Sequence, residues 1–242
     1  MRPPLLVTAV LLVASLWLLG AVLALLPEPI GSNAEQFAAG ARITLWLTLL
    51  SGAIGLVLGT LAALARTSHN AAARAAAGFY LWVIRGTPLL VQILFVYFAL
   101  PLLVPGWNLP DFAAAVVALA VNVGAYNAEA IRAGLLAVPH SQSQAAKALG
   151  LKPLQVLAHI VAPQALRVAL PPLANNLVAL LKDSSLAFAI GVVELTNIGN
   201  RVQAATFQPV ATLATTACIY LLLTTLLTQA SGALEDRVRT RQ

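Results

Sequence analysis

A few polar and ionisable side chains interrupt long apolar stretches of this sequence, and their chemistry could serve a function. Glu129 and Arg132 are three positions apart, a spacing that allows an ion pair on one face of a helix. Lys182, Asp183 and Ser184 break a later apolar stretch. If these stretches cross a membrane, such groups are costly there and usually mark the path of a polar solute or an ion. The chemistry they indicate is noncovalent binding and passage.

Each of these groups also has a structural alternative that the sequence leaves open. The Glu129–Arg132 pair could simply anchor its helix at the membrane interface. Asn122 and Asn127 could line the same path, but asparagine in membrane helices often hydrogen-bonds a neighbouring helix instead. The break at 182–184 either lines a pathway or is the outer end of a helix, because irregular backbone at membrane depth occurs only beside water or inside packed protein.

Other kinds of chemistry lack the residues that they need. The three histidines show no metal-ligand spacing with cysteine or acidic residues. No Gly-x-x-x-x-Gly-Lys-[Ser/Thr] loop is present to cradle the phosphates of ATP. Cys218 is the single cysteine and cannot form a disulfide within the chain. We therefore expect no catalytic residue, no metal site and no cofactor bound by this chain.

The composition explains which elements must position these residues. Of 242 residues, 9% are charged and 60% are hydrophobic, and the mean hydropathy is +0.88. A soluble domain is about 25% charged, so one water-soluble globule is excluded and the excess apolar surface requires lipid. The net charge of +6 does not indicate a nucleic-acid partner, because the basic residues lie between apolar runs and not along one solvated face.

The sequence predicts an all-α membrane protein with about six helices, since a span needs about 20 mostly apolar residues. The first segment follows Arg2 and could be a signal peptide, but its apolar run exceeds the roughly 7 to 15 residues of a signal-peptide core. We predict that it is a retained helix. The predicted spans are Pro4–Leu26, Ile43–Ala65, a segment within Gly86–Pro110, Phe112–Ile131, Gln164–Leu181 and a segment within Val202–Leu234.

The basic residues predict the orientation of these spans. With both termini in the cytoplasm, all but three of the 14 Lys and Arg residues, including Arg2 and the C-terminal Arg237, Arg239 and Arg241, fall on the cytoplasmic side. Cytoplasmic loops of membrane proteins are rich in Lys and Arg. We therefore expect a multi-pass protein of the cytoplasmic membrane with both termini inside.

A long polar loop, at about 134–163, separates the fourth and fifth predicted spans. Ser141 and Gln144 have the spacing of a capping box that starts a helix. Gly150 can take the left-handed position after that helix, and Pro153 suits the first turn of the next one. Such a helix could dock in a groove of another protein or merely link two spans, and capping and periodicity alone do not decide between them.

This loop resembles the EAA loop of the permease subunits of bacterial ABC importers, in particular those of the polar amino acid branch. That loop reads E-A-A, three residues, G, nine residues, I-x-L-P. The chain matches its spacing, with Gln144 in place of Glu and Ala162 in place of Leu. The matching positions are Gln144, Ala145, Ala146, Gly150, Ile160 and Pro163.

Other blocks resemble the same family in the same order. The segment 85–92 reads R-G-T-P-L-L-V-Q, which is the most specific signature of the amino acid branch. Gly124-Ala125-Tyr126, followed by Glu129, Arg132, Gly134 and Pro139, resembles the block before the EAA loop. Asn176 and the residues 182–186 resemble N…L-K-x-T-S-L, with Ser184 in place of Thr. The resemblance covers about 40–232.

The resemblance implies a type I importer transmembrane domain of five core helices, preceded here by one extra helix. We expect residues 1–39 to form that helix and an extracytoplasmic linker, and residues 40–242 to form the permease domain. It also implies two cytoplasmic ATPase subunits that bind ATP and Mg, a second permease subunit that is identical or paralogous, an extracytoplasmic solute-binding protein and an amino acid substrate. The six residues of the EAA loop would couple the permease to the ATPase, and Asn122, Asn127, Glu129, Lys182, Asp183 and Ser184 are the candidates for the substrate path.

Two other classes of protein remain as alternatives. A small secondary transporter driven by an ion gradient would typically carry inverted repeats and more buried acidic residues, and neither is evident. A structural membrane anchor would leave the ordered motifs without a purpose. Which amino acid would be transported is not readable from the sequence.

Overall fold

A computed structural model describes the backbone of residues 5–239 and, within it, the side chains at 7, 10, 14 and 17–237. Arg2, Pro4 and Arg241 lie outside the described residues, as does the side chain of Arg239. The described part contains helices and loops but no strand. Its helices are α1 (Leu5–Leu23), α2 (Ala34–Thr67), α3 (Ala71–Gly86), α4 (Leu89–Leu103), α5 (Asp111–Leu136), α6 (His140–Ala148), α7 (Pro153–Ile190), α8 (Leu195–Thr206) and α9 (Pro209–Arg239).

Within the described residues, α2, α5, α7 and α9 are each long and apolar enough to cross a membrane. α3 and α4, which meet at a bend of 110°, are long and apolar enough only when the two are taken together, as one broken span or a re-entrant loop. Together with the N-terminal α1, this agrees with the predicted all-α architecture of five core helices and one extra helix. The expected boundary between residues 39 and 40 falls inside the continuous α2.

The structure corrects the start of the fifth predicted span and places the start of the last one inside its predicted stretch. The fifth helix starts at Pro153 and not near Gln164, because Pro153 occupies its first turn and the Gln155 side chain accepts the Lys152 N–H at 2.8 Å. The last span starts at Pro209, within the predicted stretch, and Val202 at the beginning of that stretch belongs to a separate helix, α8. Phe207 adopts a left-handed φ of 55° between these two helices, and this ends α8 before α9 begins.

Close packing of small residues holds the central helices together. A Cβ at Gly55 would lie 2.3 Å from a Val123 methyl carbon, so α2 and α5 approach closely there. A Cβ at Gly134 would lie 2.4 Å from the Ala165 carbonyl oxygen, between α5 and α7. Small residues at helix contacts are the usual basis of association in membranes, where lipid removes the hydrophobic force between helices. The most enclosed span is therefore α5, which lies between α2 and α7.

α8 is attached to its neighbours through a buried acidic residue. Glu194 is fully buried and caps α8 by accepting the N–H groups of Thr196 and Asn197, each at 2.8 Å. The Tyr220 hydroxyl of α9 donates to the same carboxylate at 2.9 Å. Burial raises the pKa of Glu194, and these hydrogen bonds oppose that rise. The Leu195 N–H also donates to Thr44 of α2 at 3.2 Å, so this cluster joins three helices.

Candidate functional site

A cavity of about 370 Å³ lies where the break between α3 and α4 meets α5 and the end of α7. One wall is formed by Thr87, Pro88 and Leu89, at the start of α4. Polar groups come from all three parts of the fold, and apolar side chains fill the rest of the wall. The complete lining is Thr87, Pro88, Leu89, Asn122, Val123, Tyr126, Asn176, Ala179, Leu180 and Asp183.

Gln92 holds the break that forms this wall. Its side-chain N–H₂ donates to the Ile84 carbonyl at 2.8 Å, and to the Thr87 hydroxyl and carbonyl at 2.9 and 3.1 Å. Its side-chain oxygen accepts the Asn122 N–H₂ at 2.9 Å. The carbonyls that the bend removes from helical hydrogen bonding are thus satisfied, as a membrane interior requires. Gln92 thereby fixes both the bend and the side chain of Asn122.

The two predicted asparagines both join helices, and one of them also lines the cavity. Asn127 is buried and accepts the Asn176 N–H₂ of α7 at 2.9 Å. Asn122 is bonded to Gln92 and contributes to the cavity wall, as does Asn176. The two interpretations of Asn122, path and interhelical contact, are therefore compatible.

The three residues at 182–184 have separate environments. Asp183 lines the cavity. Ser184 is fully buried, and its hydroxyl donates to the Leu181 carbonyl at 2.7 Å. Lys182 is exposed and is not among the lining residues. Of this group, the structure brings only Asp183 to Asn122.

Glu129 lies away from the cavity lining, among basic side chains. Arg132 donates to one Glu129 oxygen from Nη2 at 2.7 Å and from Nε at 3.1 Å, which confirms the predicted ion pair. Arg85, at the end of α3, has Nη1 3.9 Å from the other Glu129 oxygen. Its guanidinium carbon also lies 5.7 Å from the ring centre of Tyr126, a cavity residue.

α6 is a short helix with a sharp end, as predicted. Gly150 has a φ of 85°. The Gly150 N–H donates to the Lys147 carbonyl at 2.9 Å and the Leu151 N–H to the Ala146 carbonyl at 3.2 Å, the two bonds of a Schellman motif. The predicted start is wrong. α6 begins at His140, with no side-chain cap, because the carbonyl of the extended Pro139 already accepts the Gln142 N–H at 3.1 Å. Ser141 therefore lies inside the first turn.

The surface of α6 divides the matched EAA positions into two sets. Ala146 is buried against the chain itself, whereas Gln144, Ala145 and Gly150 are exposed. In the first part of α7, Ile160 is half-buried and Pro163 is exposed. This first part contains a π-helical turn, Leu157–Val161. α6 and α7 are joined by Gln164, which donates to the Gln142 side-chain oxygen at 2.5 Å and to the Ile160 carbonyl at 2.8 Å.

Sequence reasoning missed several residues of this site. Thr87, Gln92, Tyr126 and Asn176 all lie in the matched family blocks, but no role followed from their types. The signal for Gln92 and Asn176 was an uncharged amide within an apolar stretch. Thr87 and Tyr126 carry no such signal, because their contribution depends on the bend. Among the described residues, no group of three His, Cys, Asp or Glu side chains could hold a metal ion.

Comparisons with known proteins agree on one family. The family model described as "Binding-protein-dependent transport system inner membrane component" matches residues 55–240. The glutamine transport system permease protein GlnP of Escherichia coli (strain K12) is 40% identical over 200 residues, which cover 83% of this chain and 91% of that protein. The arginine transport system permease protein ArtQ of Bacillus subtilis (strain 168) is 36% identical over 200 residues, with coverage of 83% and 91%.

Solved structures share the fold. A crystal structure of an amino acid ABC transporter with histidines has a TM-score of 0.78 and 36% identity, and the match covers 85% of this chain and 95% of that chain. The MetNI methionine ABC transporter in an inward-facing conformation has a TM-score of 0.72, with coverage of 88% and 99%. Its identity of 22% makes this second likeness one of fold alone.

Proposed function

This chain belongs to the family of inner membrane components of binding-protein-dependent transport systems, and we propose that it forms the translocation path of an ATP-driven amino acid importer. It is a multi-pass permease with the type I importer fold. The family and its relatives support the ABC importer over the ion-gradient-driven transporter considered as the alternative. The amino acid substrate is inferred from the glutamine and arginine permeases among the relatives.

The observation that carries this proposal is the polar cavity between α4, α5 and α7. Its carboxylate, Asp183, suits the ammonium group of an amino acid. The amides of Asn122 and Asn176 and the hydroxyl of Thr87 offer donors and acceptors for the rest of a zwitterion. α4 also begins at this cavity, and the N-terminal ends of broken membrane helices favour the negative groups of substrates. The lining therefore fits a small zwitterion better than a bare ion.

The energy for transport comes from partner subunits in this proposal. Two cytoplasmic ATPase subunits would bind ATP and Mg, and an extracytoplasmic solute-binding protein would deliver the amino acid. A second permease subunit, identical or paralogous, would complete the membrane part. This chain would then take no part in ATP hydrolysis. The cytoplasmic side would hold α6 and both chain termini, in the inner membrane of a bacterium.

α6 is the proposed contact with the ATPase. Gln144 and Ala145 would face the ATPase cleft, and the buried Ala146 would seat α6 on its own chain. Gly150 would give the bend, while Ile160 and Pro163 would anchor α6 to the membrane helix. The motion of α6 would switch the dimer between inward and outward access, biased by ATP on one side and by the loaded binding protein on the other.

Amino acid-stimulated ATP hydrolysis tests this function. The complex is purified with its ATPase, reconstituted in lipid with the binding protein, and supplied with single amino acids. We expect one class of amino acid to stimulate hydrolysis severalfold. A complex that contains no ATPase, or whose hydrolysis responds to no amino acid, would contradict the proposal, and uptake driven by an ion gradient would then favour the secondary transporter.

A matched pair of glycine variants tests the role of α6. Gly150 and Gly106 both have a left-handed φ, 85° and 89°, with no atom within 4 Å of an added Cβ. A left-handed residue other than glycine costs about 1–2 kcal/mol, so G150V and G106V introduce similar strain. We expect G150V to abolish stimulation while the subunit stays in the membrane, and G106V to retain it. Equal stimulation in the two variants would remove α6 from the coupling mechanism.

A further inference from the structure

Arg85 lies beside the cavity but is not held firmly by any group that the structure places next to it. Its Nη1 is 3.9 Å from the nearest Glu129 oxygen, which is longer than a hydrogen bond. The Arg85 side chain is 46% exposed, so this contact is also screened. The remaining contact is the face of the Tyr126 ring, at 5.7 Å.

Glu129 cannot neutralise all the basic side chains around it, because Arg132 already forms an ion pair with it. Two donors of Arg132 bind one of its oxygens. One carboxylate therefore lies between the guanidinium groups of Arg85 and Arg132. This part of the protein has a local excess of positive charge that favours a second carboxylate.

Tyr126 connects this basic cluster to the cavity. Its side chain lines the cavity and carries Arg85 on its ring face. Along α5, Glu129 and Arg132 follow Tyr126 toward the end of the helix that leads into α6. Because Arg85 contacts Tyr126 and Arg132 lies further along α5, a substrate that moves from the cavity toward α6 meets Arg85 before Arg132. A planar guanidinium with free donors binds a carboxylate through two parallel hydrogen bonds.

We propose that Arg85 receives the carboxylate of the amino acid as it leaves the cavity, exchanging its loose contact with Glu129 for the substrate. Arg85 is then a specificity residue of the exit, and the substrate class is that of molecules with a free carboxylate. This rests on the proposed function, since it requires an amino acid to pass through the cavity. The alternative role for Arg85 is that of a basic interface residue, which would need only a positive charge.

The test bypasses the binding protein, which would itself select for a carboxylate. Vesicles contain the reconstituted complex with its ATP sites outward and the loaded binding protein inside. Millimolar transported amino acid, or the corresponding amino acid amide that lacks the carboxylate, is added on the ATP side. In the unmodified complex we expect the amino acid to slow ATP-driven transport at least fivefold more than its amide, because it occupies Arg85.

Three variants separate the exit role from a general need for positive charge. In R85Q, the amino acid and its amide should slow transport equally. The maximal transport rate should fall about tenfold. The concentration of loaded binding protein that gives the half-maximal rate should not change. R85K should recover part of the transport rate and part of the difference in inhibition between the amino acid and its amide. R74Q removes a positive charge from the same α3, where Arg74 donates to the Ser68 and His69 carbonyls at 2.8 Å, and should behave as the unmodified protein.

The outcomes distinguish this inference from the proposed function. If R85Q keeps the full difference between amino acid and amide, or if the unmodified complex shows no such difference, the exit role of Arg85 is wrong while the importer stands. If R74Q lowers the transport rate and the difference in inhibition as much as R85Q does, only positive charge is required. That result would also exclude a carboxylate site at Arg85. If no amino acid stimulates ATP hydrolysis in the unmodified complex, the proposed function itself fails.

Discussion

Gln92 shows how one uncharged side chain can determine the geometry of a membrane site. It donates across the bend to Ile84 and Thr87 and accepts from Asn122. Each satisfied hydrogen bond contributes about 0.5–1.5 kcal/mol, and each buried group left unpaired costs more. The cavity wall at Thr87 therefore depends on a residue that does not line the cavity.

We expect Q92L to destabilise the protein by about 2–4 kcal/mol, the sum of several lost hydrogen bonds and an unpaired Asn122 amide. The measurement is the thermal unfolding midpoint of the purified complex in detergent, together with amino acid-stimulated ATP hydrolysis. Q208L, at an exposed position in the turn before α9, is the matched control. Q92L and Q208L with the same midpoint would show that the bend holds without Gln92.

Asp183 and Lys182 are neighbours in sequence and differ in their relation to the cavity. Asp183 lines it, and Lys182 is exposed elsewhere. Because a carboxylate on the path can hold the ammonium group of the substrate, D183N should lower the maximal transport rate at least tenfold. K182Q should change the rate less than twofold. Transport assays on both variants check this, and an unchanged rate and substrate profile for D183N would end its assignment to the path.

At this scale, the sequence predicted pairs that are local and missed groups that are brought together by folding. The Glu129–Arg132 pair follows from helical spacing alone. The contact of Asn122 with Gln92 joins two helices, and the two residues are 30 positions apart in sequence, so no spacing rule predicts it. The sequence singles out the break at 182–184, but only the structure separates Asp183 from its two neighbours.

At the scale of elements, α7 connects the proposed ATPase contact to the cavity. Its first part receives α6 through Gln142 and Gln164, and its last part carries Asn176 and Asp183 to the cavity. One helix thus reaches both sites. A displacement of α6 can move the cavity wall only if α7 moves with it. The contact between α6 and α7 therefore limits how strongly the ATPase contact is coupled to the cavity.

The hydrogen bond between Gln142 and Gln164 should therefore affect coupling more than stability. Such a bond contributes about 0.5–1.5 kcal/mol, which corresponds to about a two- to tenfold change in the balance of two states. We expect Q142A and Q164A each to raise the ATP hydrolysed per amino acid transported by about two- to fivefold. The double variant should be no worse than the worse single one, since each single variant already removes the bond that the two residues share. Fully additive effects would show that the two residues act separately.

The elements also show why some helix ends are predictable from sequence. The end of α6 was predicted because a glycine in the left-handed region has a distinct signature. The start of α7 was misplaced because hydropathy reports the part of a helix that lies in the membrane and not the end of the helix itself. α8 was missed altogether, since it depends on the buried Glu194 cap and on contacts with α2 and α9 that lie far away in sequence.

At the scale of the whole molecule, the basic residues and the functional elements predict the same orientation in the membrane. The ends of α5 and α6 carry Arg132 and Lys147, and α7 starts beside Lys152. The loop between α4 and α5 carries no Lys or Arg. Since Lys and Arg concentrate in cytoplasmic loops, the side with α6 should be cytoplasmic, which is also where an ATPase would have to dock. The distribution of these few charged residues therefore predicts the orientation, with α6 on the cytoplasmic side.

Cysteine labelling tests this orientation on the complete protein. Cys218 is replaced by serine, and single cysteines are introduced as S143C in α6 and N108C in the loop before α5, which is exposed. In vesicles with the ATP sites outward, a membrane-impermeant maleimide should label S143C and leave N108C unlabelled until detergent is added. Because every span alternates sides, reversed labelling would invert the orientation of α5 and place α6 out of reach of any cytoplasmic ATPase. Reversed labelling would therefore contradict the coupling role of α6. The expected labelling places the end of α5 near α6 on the ATP side, from which an amino acid could then approach Arg85.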